Sequence, residues 1–105
     1  MGSTISKHVS EAIVRTEKAG RYLQQLSKHF GHKVPVQGDE RQCHIGFPMG
    51  ACTLEAEPGS NTLTLRLTAA TAKDVGRLEE IVGGHLVRFA FREDLRVDWN
   101  SIGKA

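Results

Sequence analysis

Three runs of strict alternation, Arg41 to Phe47, Ala51 to Glu57 and Thr62 to Thr68, constrain this chain more than anything else in it. Apolar residues take every second position: Cys43, Ile45 and Phe47, then Cys52, Leu54 and Ala56, then Leu63, Leu65 and Leu67. A period of two is that of a strand with one face buried and the other wet. Gln42, His44, Thr53, Glu55, Thr64 and Arg66 then share the wet face. Pro48-Met49-Gly50 and Pro58-Gly59-Ser60-Asn61 are turn-forming and short, so the three runs are expected to fold as an antiparallel meander.

A meander with one apolar face needs a cover, and the flanking segments supply it. Glu11 to Thr16 alternates weakly and is expected as a first strand, with Ala12 and Val14 on one face or Ile13 on the other. From Lys18 the period lengthens: Ala19, Tyr22, Leu23, Leu26 and Phe30 make one stripe of an amphipathic helix. Thr16 is expected to cap that helix, and Gly31 to close it in the left-handed conformation. Val34-Pro35-Val36 reads as a short extended edge before the turn at Gly38-Asp39-Glu40.

Downstream, Thr71 and Asp74 have the spacing of a helix start, and Val75, Leu78, Val82, His85, Leu86 and Phe89 form a second stripe. Gly83-Gly84 inside it costs roughly 1 kcal/mol per glycine relative to alanine, which close packing or a kink would explain. Leu95, Val97 and Trp99 alternate as a final strand, and Ser101 to Ala105 is expected to fray.

The expected fold class is therefore α+β: a two-layer, antiparallel sheet of four to six strands with two helices on one face. With 105 residues, 39% of them hydrophobic, the chain sustains one core. Residues 10–100 are expected to form a single domain between a flexible N-terminal segment, 1–9, and a flexible C-terminal one, 101–105. No apolar run approaches the roughly 20 residues of a membrane span, and the N-terminal region lacks a secretory pattern. A cytoplasmic address is expected, with no membrane partner.

Charge is distributed unevenly. Residues 1–33 hold six Lys or Arg (Lys7, Arg15, Lys18, Arg21, Lys28, Lys33) against Glu11 and Glu17, while the whole chain is only +2. An anionic partner would be met by the first third, although a solvated helix face accounts for the same pattern. At about 100° per residue, Arg21, Gln25, Lys28 and His32 fall within roughly 60° of one another, opposite the apolar stripe. With His29 and Lys33 they make a cationic ridge near a helix C-terminus, where the dipole favours positive charge by roughly 0.3 to 1 kcal/mol each. His29, His32 and His44 are the residues to examine for a shared cavity or metal, but Gly31 should separate the first two, and no metal or cofactor is expected.

Standard catalytic signatures are missing from the sequence, and the pairs Glu79-Glu80 and Glu93-Asp94 read as solvated carboxylates. Cys43 and Cys52 fall on the apolar side of neighbouring strands, with Phe47 or Gly46 expected opposite Cys52, so buried free thiols are expected rather than a disulfide. His85 reads as a neutral, hydrogen-bonded core histidine, and Tyr22 and Trp99 as core or rim aromatics.

At Arg21-Tyr22-Leu23-Gln24-Gln25-Leu26-Ser27-Lys28-His29-Phe30-Gly31-His32-Lys33 the chain resembles the bacterial family called domain of unknown function 2218. Gly50-Ala51-Cys52-Thr53-Leu54-Glu55-Ala56, Arg77-Leu78-Glu79 and His85 to Glu93 followed by Trp99 carry the same resemblance, in order, over residues 10–100. It implies a TATA-binding-protein-like fold, strand, helix, four strands and helix, and no established activity. It also implies an accessory role near siderophore uptake, in iron acquisition. Gly83-Gly84 departs from the family pattern.

Together these readings point to a non-enzymatic module that binds an anionic small molecule or a siderophore-related protein, through Arg21, Lys28, His29, His32, Lys33 and His44. The alternative is a nucleic-acid-binding module using the basic first helix, disfavoured because the wet sheet face lacks aromatics for stacking bases. An uncovered edge strand leaves both monomer and homodimer open.

Overall fold

A computed structural model of the chain describes residues 7–104. Its elements run β1 His8–Arg15, α1 Ala19–Gly31, β2 Val36–Gly38, β3 Gln42–Phe47, β4 Gly50–Ala56, β5 Thr62–Ala69, α2 Ala72–Phe89 and β6 Asn100–Lys104. The strands form one antiparallel sheet in the order β2-β3-β4-β5-β1-β6. Both helices cover one face of it, α1 lying over the β2 to β5 half and α2 over β4, β5 and β1. The architecture is the expected α+β sandwich, with one further strand closing the β1 edge.

The alternating residues fall inside as their period requires. Leu54, Leu65 and Ala12 stand side by side across three strands, each 0 to 1% exposed. Above them lie Leu23, Leu26 and Phe30 of α1 and Leu78, Val82 and Leu86 of α2. Removing a leucine as enclosed as Leu65 costs about 2 to 5 kcal/mol, because the lost transfer energy is joined by a cavity the neighbours cannot fill. On β1, Ala12 and Val14 are the inward pair, and Ile13 is left 62% exposed on the wet face.

The hairpin between β3 and β4 turns on two residues, Pro48 and Met49, and this sets the register. Ile45, not Phe47 or Gly46, stands opposite Cys52, while Cys43 faces Leu54. Both cysteines are free and buried, as expected. Gly38 sits at φ 140°, where a Cβ would lie 2.2 Å from the Gln42 carbonyl oxygen, so the β2–β3 turn requires glycine. Asp39 ties the same turn by accepting from the backbone N–H of Arg41 and Gln42 at 2.8 and 3.0 Å.

Several local expectations change in three dimensions. The cap of α2 is as read, with Thr71 Oγ1 accepting from the Asp74 N–H at 3.1 Å. The cap of α1 is not: Lys18 holds the N-cap position, and Thr16 Oγ1, two residues earlier, accepts from the Lys18 N–H at 3.1 Å. Gly31 is not left-handed either. It completes the helix, His32 follows in the right-handed region, and the N–H groups of Lys33 and Val34 both donate to the Phe30 carbonyl, so its last turn tightens without needing a positive φ.

The C-terminal region departs most. Leu95, Val97 and Trp99 are half-buried and alternate with exposed residues, but they pair with no strand. They pack against the core as the chain crosses from α2 to the sheet edge. A period of two therefore records one buried side here, not a ladder. The last strand is Asn100–Lys104, paired with β1 across a register shift between Val9 and Ser10, so the stretch expected to fray from 101 is sheet as far as Lys104. At the other end His8 and Val9 belong to β1, and the remainder of the expected flexible segment 1–9 lies, but for Lys7, outside the described residues. Trp99 also explains Gly83, since a Cβ on that residue would lie 3.2 Å from Trp99 Nε1. The indole rests on the helix where glycine leaves room.

Candidate functional site

The two helices run antiparallel, which brings the start of α1 beside the end of α2. Tyr22 meets Glu93 there, and one helical turn pair further along His29 meets His85. The first contact is polar and part-buried: the Tyr22 hydroxyl donates to Glu93 Oε2, and the Thr16 hydroxyl donates to Glu93 Oε1 at 3.0 Å. Thr16 and Tyr22 are both buried. Burial pushes the Tyr22 hydroxyl above its ordinary pKa, its hydrogen bond to Glu93 and the charge of Glu93 push the same way, and Arg21 opposes them. Glu93 is thus not a solvated carboxylate but a clasp that holds the turn after α2 onto the start of α1. Glu79 departs likewise from the solvated reading, accepting from the buried Ser10 hydroxyl at 2.6 Å.

Above the clasp a cleft of about 470 Å³ opens between the helices. Lys18 at the N-cap of α1 and Arg21, Tyr22 and Gln25 within it line one side, and Phe89, Phe91 and Arg92 from the end of α2 and the turn beyond line the other. Lys18, Arg21 and Arg92 are exposed. Among the described residues the single ion pair is Arg66 with Glu11, at 3.7 Å on the sheet, so none of the three cleft cations is paired. Two of them lie at the N-terminal end of α1, whose first turn holds no acid. The helix dipole is positive at that end and works against cations there, so dipole complementation does not account for Lys18 and Arg21. The Phe91 ring is 76% exposed, and the Arg92 guanidinium carbon lies 5.5 Å from its centroid, within cation–π range.

The residues singled out in the sequence are divided by the fold. Arg21 lies in the cleft. Lys28, His32 and Lys33 are exposed toward the other end of α1; Lys28 lies seven residues, or about 10 Å of helix, from Arg21. His29 turns toward α2, where its ring centroid is 4.6 Å from that of His85 and 5.5 Å from that of Phe89. His44 is on the opposite face of the sheet, its Nδ1 3.3 Å from Thr53 Oγ1, because Cys43 and Ile45 on either side of it point to the core. The three histidines His29, His32 and His44 therefore do not converge, and no group of three or more metal-ligating side chains occurs among the described residues.

His85 keeps the hydrogen bond expected of it, through Nδ1 to the Ile81 carbonyl at 2.6 Å, but it is half-buried and part of an aromatic cluster with His29, Phe30 and Phe89. Burial pulls the pKa of His29 below the ordinary imidazole value, and the neighbouring His85, Lys33, His32 and Arg88 add to the shift. At Cys52 burial, reinforced by Cys43, pushes the thiol up to about 12, so it is not a nucleophile.

Lys18, Phe89, Phe91 and Arg92 help to line the cleft without having been read as binding residues in the sequence. One signal was there to read: cations at the start of a helix whose first turn holds no acid. The contribution of Phe91 and Arg92 carried none, since they follow α2 by two and three residues and meet Lys18 and Arg21 only across the helix pair.

A family model described as an uncharacterized protein conserved in bacteria (DUF2218) matches residues 11–100. The chain is also similar to the NMR structure of PA4090 from Pseudomonas aeruginosa, with 32% identity and a TM-score of 0.74, over 89% of this chain and 95% of that one. No curated protein matches it. No described helix is long and apolar enough to cross a membrane.

Proposed function

Because this chain belongs to the DUF2218 family of uncharacterised bacterial proteins, which ties it to no reaction, we propose a function from its own geometry: it is a non-enzymatic module that binds a small anionic ligand in the cleft between α1 and the end of α2. The observation that carries this reading is the set of three unpaired cations, Lys18, Arg21 and Arg92, gathered from two elements distant in sequence around one concavity. Guanidinium groups present a planar fork of donors that matches carboxylate and phosphate oxygens, and two of the three cations here are arginines. Nothing in the lining is set up as a nucleophile or a base: the Tyr22 hydroxyl is already committed to Glu93.

Lys28, His32 and Lys33 keep an outer part in this proposal, extending positive potential along the exposed side of α1 toward an approaching anion. An accessory role in siderophore or iron handling enters through the family resemblance alone, and a cytoplasmic setting through the sequence alone. Nucleic-acid binding draws less support, since the wet face of the sheet carries Glu11 and Glu55 beside Arg66 and, among the described residues of its strands, offers no Phe, Tyr or Trp ring for a base, only the imidazole of His44.

Titrating inorganic phosphate, pyrophosphate and citrate into the ¹⁵N-labelled protein tests the reading. Amide shifts are expected at residues 18–22 and 89–92, saturable for at least one anion, and weakened by more than tenfold in an Arg21→Ala, Arg92→Ala double variant but not in Lys73→Ala. Shifts scattered over the surface, or equal affinity in the double variant, would overturn it.

A further inference from the structure

Charge alone does not describe the cleft, because four of its seven lining residues are aromatic or amide. Phe91 is the largest apolar side chain left in water among the described residues, at 76% exposure, although residues of its kind are ordinarily among the most enclosed. It is not stranded at a loop tip far from other features. It borders the cationic cleft, which the half-buried Phe89 and the buried Tyr22 also line. Arg92 takes one side of the Phe91 ring. The rest of that ring is open surface next to three positive charges, and Gln25 adds an amide able to donate and to accept at a ring edge.

We infer that the ligand of this cleft is a planar aromatic ring joined to a phosphate monoester, with the ring laid against Phe91 and the phosphate held by Lys18, Arg21 and Arg92. The inference rests on the anion-binding reading above and narrows it. A single carboxylate would leave two of three cations unneutralised, whereas a phosphate monoester carries about −1.5 to −2 at pH 7 and offers three acceptor oxygens. Aromatic stacking supplies the second half of the recognition and is indifferent to which ring is used, because every ring has a π face. A cleft of about 470 Å³ lies in the range of small-ligand sites, and its two kinds of lining are placed to be engaged together. Phenyl phosphate and adenosine monophosphate share the required chemistry, so both serve as probes.

Calorimetric titration with phenyl phosphate, adenosine monophosphate, ribose 5-phosphate and inorganic phosphate separates the outcomes. Phenyl phosphate and adenosine monophosphate are expected to bind about tenfold or more tightly than the two ringless phosphates, by the usual worth of one stacked ring. Phe91→Ala is expected to abolish that margin, read as the ratio of ring-bearing to ringless affinity within each protein because Arg92 rests on the same ring; the side chain is exposed, so the fold is not at stake, and circular dichroism verifies this. Arg21→Ala with Arg92→Ala should weaken all four. Equal affinity for all four in the wild-type protein overturns the inference and leaves the anion reading standing. Failure of all four, while citrate still binds at the cleft, also overturns the inference alone, and failure of every anion removes both.

Discussion

His29 of α1 and His85 of α2 lie ring against ring at the interface of the two helices, their centroids 4.6 Å apart and their planes tilted by 42°. Lys33, His32 and Arg88 are the charged neighbours that act on His29, with no carboxylate among them, and Phe30 and Phe89 lie against its ring. Protonation at this interface therefore adds like charge in a half-buried site.

The consequence for pH has a definite sign. The folded pKa of His29 lies below its ordinary value near 6.5, so the unfolded chain binds the proton more readily than the folded one. Stability contributed by the neutral imidazole is fully present above about pH 6.5 and declines as pH falls through and below that value. Urea unfolding at pH 8, 7, 6 and 5 should show this decline, and His29→Phe should flatten it. A wild-type profile that rises as the pH falls from 7 to 5.5 would contradict the account.

The Glu93 clasp makes a coupled prediction. Tyr22→Phe removes one hydroxyl donor, and Glu93→Gln removes the charge that both Tyr22 and Thr16 satisfy. Each change should cost about 1 to 3 kcal/mol, as expected when a part-buried partner is left unmatched. Because they break one interaction, the double variant should cost less than the sum by about 0.5 to 3 kcal/mol, measured in a double-mutant cycle by urea denaturation.

Gly83 and Gly84 should respond differently to a side chain although they are adjacent. A Cβ at position 84 meets nothing within 4 Å, so Gly84→Ala should stabilise the protein by about 1 kcal/mol through helix propensity. Position 83 lies against Trp99, and Gly83→Val must displace the indole. Trp99 is the one tryptophan of the chain, so its fluorescence reports this directly: emission should shift to the red in Gly83→Val and stay in place in Gly84→Ala.

Ser27 offers a stabilising change of another kind. Its hydroxyl oxygen is buried without a hydrogen-bond partner among the described residues, beside a groove lined in part by Leu23, Val36 and Cys43. An unmatched buried hydroxyl costs about 1 to 3 kcal/mol, and alanine is also the better helix former. Ser27→Ala should raise the urea midpoint by an amount equivalent to about 1 kcal/mol, with an unchanged slope.

Much of this fold was legible because burial leaves a period in the sequence. Leu63, Leu65 and Leu67 alternate, Leu23, Leu26 and Phe30 recur at helical spacing, and each is inside. The same reasoning misread Leu95, Val97 and Trp99, since a chain crossing over a core buries alternate residues as a paired strand does. The candidate site was legible only in fragments. Arg21 was found by its place on a helix face, and the ridge toward Lys33 by its composition. Glu93 was set aside because it stands next to Asp94 in sequence rather than facing another acid, as solvated carboxylates do, whereas its partners, Thr16 and Tyr22, lie more than 70 residues away.

By itself, then, the sequence determined which side of the three meander strands and of both helices is apolar, in what order these elements come, and hence the two-layer α+β arrangement. Only the tertiary structure decided that Asn100–Lys104 joins β1, that His29 meets His85, and that Lys18 and Arg21 share a cleft with Phe91 and Arg92. The physical reason is that periodicity encodes how a side chain stands toward water, a property of one element. Which groups meet depends on how two helices cross a twisted sheet, and no single stretch of the chain carries that.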